Sequence, residues 1–135
     1  MFLKDDRGRF TIIDNFDSGD FYYFKNVLKV FQSIYLDEDL RLSKRELDIM
    51  SYILLQYKNN IVSIKDYDYN DVLSKCFVEN INTMGVWCKA LSKKKFIKFS
   101  RRKITIENPF LLAFLKNNEV EFSVVFKTNL SEFNK

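Results

Sequence analysis

Residues 82–106 read NTMGVWCKALSKKKFIKFSRRKITI, and the way this stretch divides decides the fold. In its first part Met84, Trp87, Cys88 and Leu91 fall at i, i+3, i+4 and i+7. That spacing puts them on one stripe of a helix that runs from about Asn82 or Thr83 to about Lys95. The opposite face carries Asn82, Thr83, Gly85, Val86, Lys89, Ser92 and Lys93. In the second part, Phe96-Ile97-Lys98-Phe99 and Lys103-Ile104-Thr105-Ile106 alternate apolar and polar residues around Ser100-Arg101-Arg102. Two alternating runs about a short polar break predict a β-hairpin, here with a basic tip.

The same region holds most of the chain's charge asymmetry. Residues 80–106 contain no Asp or Glu and eight basic residues: Lys89, Lys93, Lys94, Lys95, Lys98, Arg101, Arg102 and Lys103. The chain as a whole has 22 basic and 18 acidic residues and a net charge of +4. Removing those eight leaves a body on which acids outnumber bases. Concentrated positive charge without interleaved acid is the footprint of a phosphate-backbone partner. The plainer alternative is a solvated basic face, since short basic runs are common on surfaces. Amide, hydroxyl and basic groups on the outer helix face could hydrogen-bond base edges or phosphates, and an α-helix fits the major groove.

Upstream of this stretch the pattern is helical. Phe24, Val27, Leu28, Phe31, Ile34 and Tyr35 mark an amphipathic helix over about 21–35, ended by Asp37-Glu38-Asp39. Ser43 followed by Glu46 is a capping box that starts a second helix, with Leu47, Ile49, Met50, Ile53, Leu54 and Tyr57 at helical spacing and Asn59-Asn60 as its stop. A short extended piece over 61–64 and a turn over 66–70 precede a third helix over about 70–77, expected to bury Val72, Leu73, Cys76 and Phe77. Helix, short turn, helix and basic hairpin then follow in order.

Residues 42–109 resemble the winged helix-turn-helix family of DNA-binding proteins. The segment Leu91-Ser92-Lys93-Lys94-Lys95-Phe96-Ile97 is similar to the family pattern in which a recognition helix passes through a Leu into Lys-Lys-x-aromatic-Ile and the wing. Leu42-Ser43-Lys44-Arg45-Glu46-Leu47-Asp48-Ile49-Met50 looks like the first helix of such regulators, and Ile106-Glu107-Asn108-Pro109 is similar to wing exits in some phage and plasmid replication proteins. Lys95 departs from the pattern, because the family often has Gly there. A left-handed turn is less comfortable for Lys, so a different helix end is expected.

Composition narrows the function classes. At 135 residues, with 47% hydrophobic and 30% charged residues, a single folded domain is expected rather than a disordered chain. Three Gly and one Pro favour long helices over a turn-rich sandwich. The chain has no His and only two cysteines, Cys76 and Cys88. That composition argues against the usual structural zinc sites, His-based triads and His acid–base catalysis. The two cysteines read as reduced core thiols in a cytosolic protein. No apolar run is long enough to span a bilayer, and the acids near the N-terminus do not suit a secretory signal. Trp87, on the apolar stripe, reads as a core anchor rather than a base-stacking platform.

The expected fold is mainly α with a small β-hairpin wing, a winged helix-turn-helix in one domain over 1–135. Residues 1–20 form an N-terminal arm with a possible strand over 10–13, residues 21–109 the helical core and wing, and residues 110–135 a helix and strand extension. In that strand Val120, Phe122, Val124 and Phe126 share a face, which invites pairing with a second copy. The expected function is binding of double-stranded DNA by a recognition helix over about 82–95 and a basic wing over 97–106, in regulation of transcription or replication. Its contacts would be Asn82, Thr83, Val86, Lys89, Lys93, Lys94, Lys98, Arg101, Arg102 and Lys103, with no cofactor, metal or membrane. The alternative is a non-catalytic winged-helix protein that docks other proteins or builds a phage-like assembly, in the cytoplasm or in a particle. No acid–base pair, phosphate-binding Gly loop or metal spacing points to an enzyme.

Overall fold

Sixteen residues of helical periodicity become α1 (Asp20–Tyr35), and the capping box at Ser43 opens α2 (Lys44–Lys58). In this computed structural model the described residues are 2–4, 10–12, 20–117, 119–122 and 127. Two further helices, α3 (Tyr69–Cys76) and α4 (Ile81–Lys93), precede an antiparallel hairpin of β3 (Lys98–Ser100) and β4 (Lys103–Thr105), after which comes α5 (Pro109–Lys116). Near the N-terminus two three-residue strands, β1 (Phe2–Lys4) and β2 (Phe10–Ile12), also pair antiparallel. The described protein is thus mainly helical with small antiparallel hairpins. Among the described residues no helix is long and apolar enough to cross a membrane.

The local chemistry explains the boundaries. Ser43 Oγ accepts from the Glu46 N–H at 3.3 Å while the Ser43 N–H donates to Glu46 Oε1 at 2.9 Å, so two orphan donors of α2 are satisfied reciprocally. Asn60, in the left-handed conformation at φ 66°, ends the same helix, with Ile61 N–H donating to Gln56 O and Asn60 N–H to Tyr57 O. Asp68 accepts from the Asn70 N–H at 3.0 Å and starts α3. Asn108 caps α5, whose first residue is Pro109, where a missing N–H costs nothing.

One apolar cluster holds the elements together. Phe24 and Leu28 of α1 meet Ile49, Met50, Ile53 and Leu54 of α2, Val72 and Cys76 of α3, and Met84, Cys88 and Leu91 of α4. Phe96, Ile97, Ile104 and Ile106 seal the base of the hairpin, and Leu111 and Phe114 add α5. Trp87 is half-buried against this cluster.

Several expectations need correction. Ile34 and Tyr35 continue the spacing of α1 but are exposed, because the buried stripe of that helix ends at Phe31. Leu73 and Phe77 are exposed as well. Phe77 caps α3 in the left-handed conformation at φ 58°, which turns its ring outward under the Arg45 guanidinium, 5.7 Å away. Of the expected strand over 120–127, the described residues 119–122 and 127 are not in a strand; Val120 and Phe122 pack half-buried against the core. Val124 and Phe126 lie outside the described residues.

Candidate nucleic-acid interface

Asn80, in an extended conformation, accepts the Thr83 N–H at 3.0 Å and so sets the start of α4. The helix begins at Ile81 and ends at Lys93, two residues short of the expected end. Its far end is a Schellman motif: Phe96 N–H donates to Leu91 O at 3.1 Å and Lys95 N–H to Ser92 O at 3.0 Å. Lys95 takes the left-handed position itself, at φ 65°. The expected departure at this position therefore does not occur. Burial of Leu91 and Phe96 on either side holds the turn, and Lys accepts the steric cost that Gly would avoid.

The hairpin is fixed by its own turn and by a neighbouring segment. Arg101 and Arg102 form its two-residue turn with φ 53° and 62°. Positive φ at both central positions matches the twist of a tight hairpin but suits Asn-Gly better than two arginines. A third segment runs alongside: Ser63 bridges Lys103 antiparallel, Ile104 N–H donates to Val62 O at 2.8 Å, and Ile64 N–H donates to Arg102 O at 3.0 Å. The Ser63 hydroxyl donates to the same carbonyl at 3.3 Å. Tyr69 O–H donates to Ile64 O at 2.8 Å. Burial pushes its phenol up to about 12, against the opposing pull of the nearby Arg102 charge.

These constraints open a cleft of about 480 Å³ between α4 and the hairpin. Asn82, Gly85, Val86 and Lys89 line one side, and Phe99, Ser100, Arg101 and Arg102 the other, above Ile64 and Ile81. Three cations and no carboxylate stand among these lining residues. Of the expected contact residues, Asn82, Val86, Lys89, Arg101 and Arg102 are thus brought together. Lys93 is exposed further along α4, and Lys103 is exposed on β4. Among the described residues no carboxylate pairs with Lys89, Lys93, Arg101, Arg102 or Lys103.

The other expected contacts are differently placed. Thr83 is exposed, but its hydroxyl lies 3.2 Å from Asn80 Oδ1 and belongs to the helix cap. Lys98 pairs with Glu107 at 2.9 Å, yet both side chains are more than half exposed, 72% and 60%, so solvent weakens the pair and leaves the ammonium available. Lys94 is a correction. Its ammonium donates to Glu46 Oε1 at 2.7 Å and to Arg41 O at 2.8 Å. With Glu46 only 7% exposed and Lys94 26%, this charge is committed to the body of the protein. Burial alone would raise the Glu46 carboxyl, but hydrogen bonds from Lys94 and Ser43 and the Lys94 charge hold it below its ordinary range.

Sequence reasoning missed two residues of the cleft. Phe99 and Ser100 line it, although strand alternation alone does not say which neighbour they face. Gly85 lies on its wall in mid-helix, a placement that the helical face had indicated without a role. Away from the cleft, Cys76 and Cys88 are free thiols buried in the core, as expected; burial chiefly pushes both up to about 12, which keeps them protonated at neutral pH. Comparisons with protein-family models, curated proteins and solved structures found no match.

Proposed function

We propose that this chain is a winged-helix protein that binds double-stranded DNA, with α4 in the major groove and the β3–β4 hairpin, as the wing, on the adjacent phosphates. The element order supports the reading: helix α2, a bridged segment, α3, α4 and a hairpin joined to that segment. The observation that carries it is the acid-free cleft in which Asn82, Val86 and Lys89 of one helix face stand opposite Arg101 and Arg102. Amide and ammonium groups on a helix face can meet base edges, while paired guanidiniums at a turn suit phosphates. Regulation of transcription or replication in the cytoplasm is the role such binding would serve.

The test is a fluorescence anisotropy titration of the full chain against random-sequence duplex DNA at several salt concentrations. Among the expected contact residues, Lys89, Lys93, Arg101, Arg102 and Lys103 are the cations that pair with no carboxylate of the described residues. If all five meet phosphates, log K should fall against log salt with a slope of about −4 to −5. Absence of binding at low salt, or a binding constant indifferent to salt, overturns the reading in favour of a protein-docking role.

A further inference from the structure

The centre of the outer face of α4 is built against helix propensity. Gly85 and Val86 are adjacent, in the middle of a 13-residue helix, and both residue types are poor helix formers for different reasons, backbone freedom and χ1 restriction. Neither choice answers an internal need. Among the described residues, apart from the two chain neighbours Met84 and Val86 and the helix's own backbone, no atom lies within 4 Å of where a Gly85 Cβ would sit. Gly85 therefore makes room for nothing in the protein itself. Val86 is 65% exposed, the most exposed of the large aliphatic side chains described. Local choices that oppose the element they sit in mark places under functional demand.

Geometry says what kind of demand this is. Asn82, Val86 and Lys89 follow at i, i+4 and i+7 on one face, and all three line the cleft with Gly85. A helix surface without a Cβ at its midpoint admits a close neighbour, and the side chain beside it offers only methyl groups. Along the major-groove edge of DNA the one apolar group is the C5 methyl of thymine. Resting on the DNA-binding reading above, we infer that Val86 is a specificity-determining residue that packs on a thymine methyl, with Gly85 giving the clearance that lets α4 approach that closely. The protein accordingly prefers sites that place thymine under the midpoint of α4.

The experiment compares a labelled duplex of alternating dA and dT with the same duplex carrying deoxyuridine for thymidine, which removes only the methyl groups. Wild-type protein should bind the thymidine duplex about fourfold more tightly for each methyl it buries. In Val86→Ala, whose exposed position leaves the fold intact, that difference should disappear while salt-dependent binding remains. Gly85→Ala should melt at a higher temperature than wild type and bind DNA more weakly. Equal, salt-dependent binding of both duplexes by wild type overturns the inference and leaves the DNA reading standing. Persistence of the difference in Val86→Ala overturns Val86 as the reader, and undiminished affinity in Gly85→Ala overturns the clearance. Failure to bind any duplex at low salt removes the DNA reading itself.

Discussion

Lys89 and Lys94 lie five residues apart around one helix, in a run whose sequence treats them alike, yet they belong to different regions. Lys89 stands in the open cleft beside Arg101 and Arg102. Lys94, where α4 ends, is held by Glu46 and the Arg41 carbonyl from the other side of the body. The difference arises in α2, whose capping Glu46 has a carboxylate free to accept a second donor. A basic run is therefore not a uniform surface: its members divide between fastening the helix and facing outward, and the division is set by distant residues.

The largest effect expected is on stability at the fastened end. Glu46→Ala removes half of the capping box and leaves a mostly covered ammonium without its carboxylate. Urea denaturation should show a loss of about 2–4 kcal/mol, whereas Lys89→Ala should change stability by less than about 0.5 kcal/mol. Comparable losses in both variants would erase the distinction between the two regions.

Acid should sharpen the same contrast. Because the folded-state pKa of Glu46 is depressed, its contribution is present above the unfolded value of about 4.3 and is lost as pH falls through the lower folded value. The stability gap between wild type and Glu46→Gln should be widest near neutrality and should close under acid conditions. A gap that persists unchanged after Glu46 is protonated would mean that it does not arise from the carboxylate charge.

At the open end, stability and binding should move in opposite directions. Arg101→Asn with Arg102→Gly relieves two non-glycine residues at positive φ, so the hairpin should gain about 1 kcal/mol in thermal or urea unfolding. In the proposed DNA complex the same change should flatten the salt slope by about 2, one unit for each phosphate that an arginine no longer neutralises. Lys95→Gly is the smallest and simplest case. It should add up to about 1 kcal/mol by removing left-handed strain and leave the cleft as it was; a destabilised variant would show that the Lys95 side chain holds the helix end.

The helices were legible because each announces itself locally. Ser43 and Glu46, Asn59-Asn60 and the Met84–Leu91 stripe are signals that need only a few neighbouring residues to act. The hairpin was legible from alternation, though not its turn geometry, which two arginines disguise. The candidate site was legible in part: Asn82, Val86, Lys89, Arg101 and Arg102 converge, but their common face depends on how residues 62–64 hold the hairpin. What stayed hidden was long-range. The partner of Lys94 lies 48 residues away, and the outward turn of Phe77 comes from a left-handed cap that its apolar character conceals. Periodicity also overran the true buried stripe at Ile34 and Tyr35, since spacing names a face without saying how far the neighbouring element extends along it.

The doubly held carbonyl of Arg102 bears on kinetics as well as on shape. Ser63 and Ile64 already anchor the hairpin tip before any partner arrives, so association has little loop entropy left to remove. In the proposed DNA complex, encounter steered by charge would then set the on-rate in place of a slow ordering step. Loosening that anchor with Ser63→Ala should slow association or reduce its sensitivity to orientation while leaving the charge of the tip unchanged.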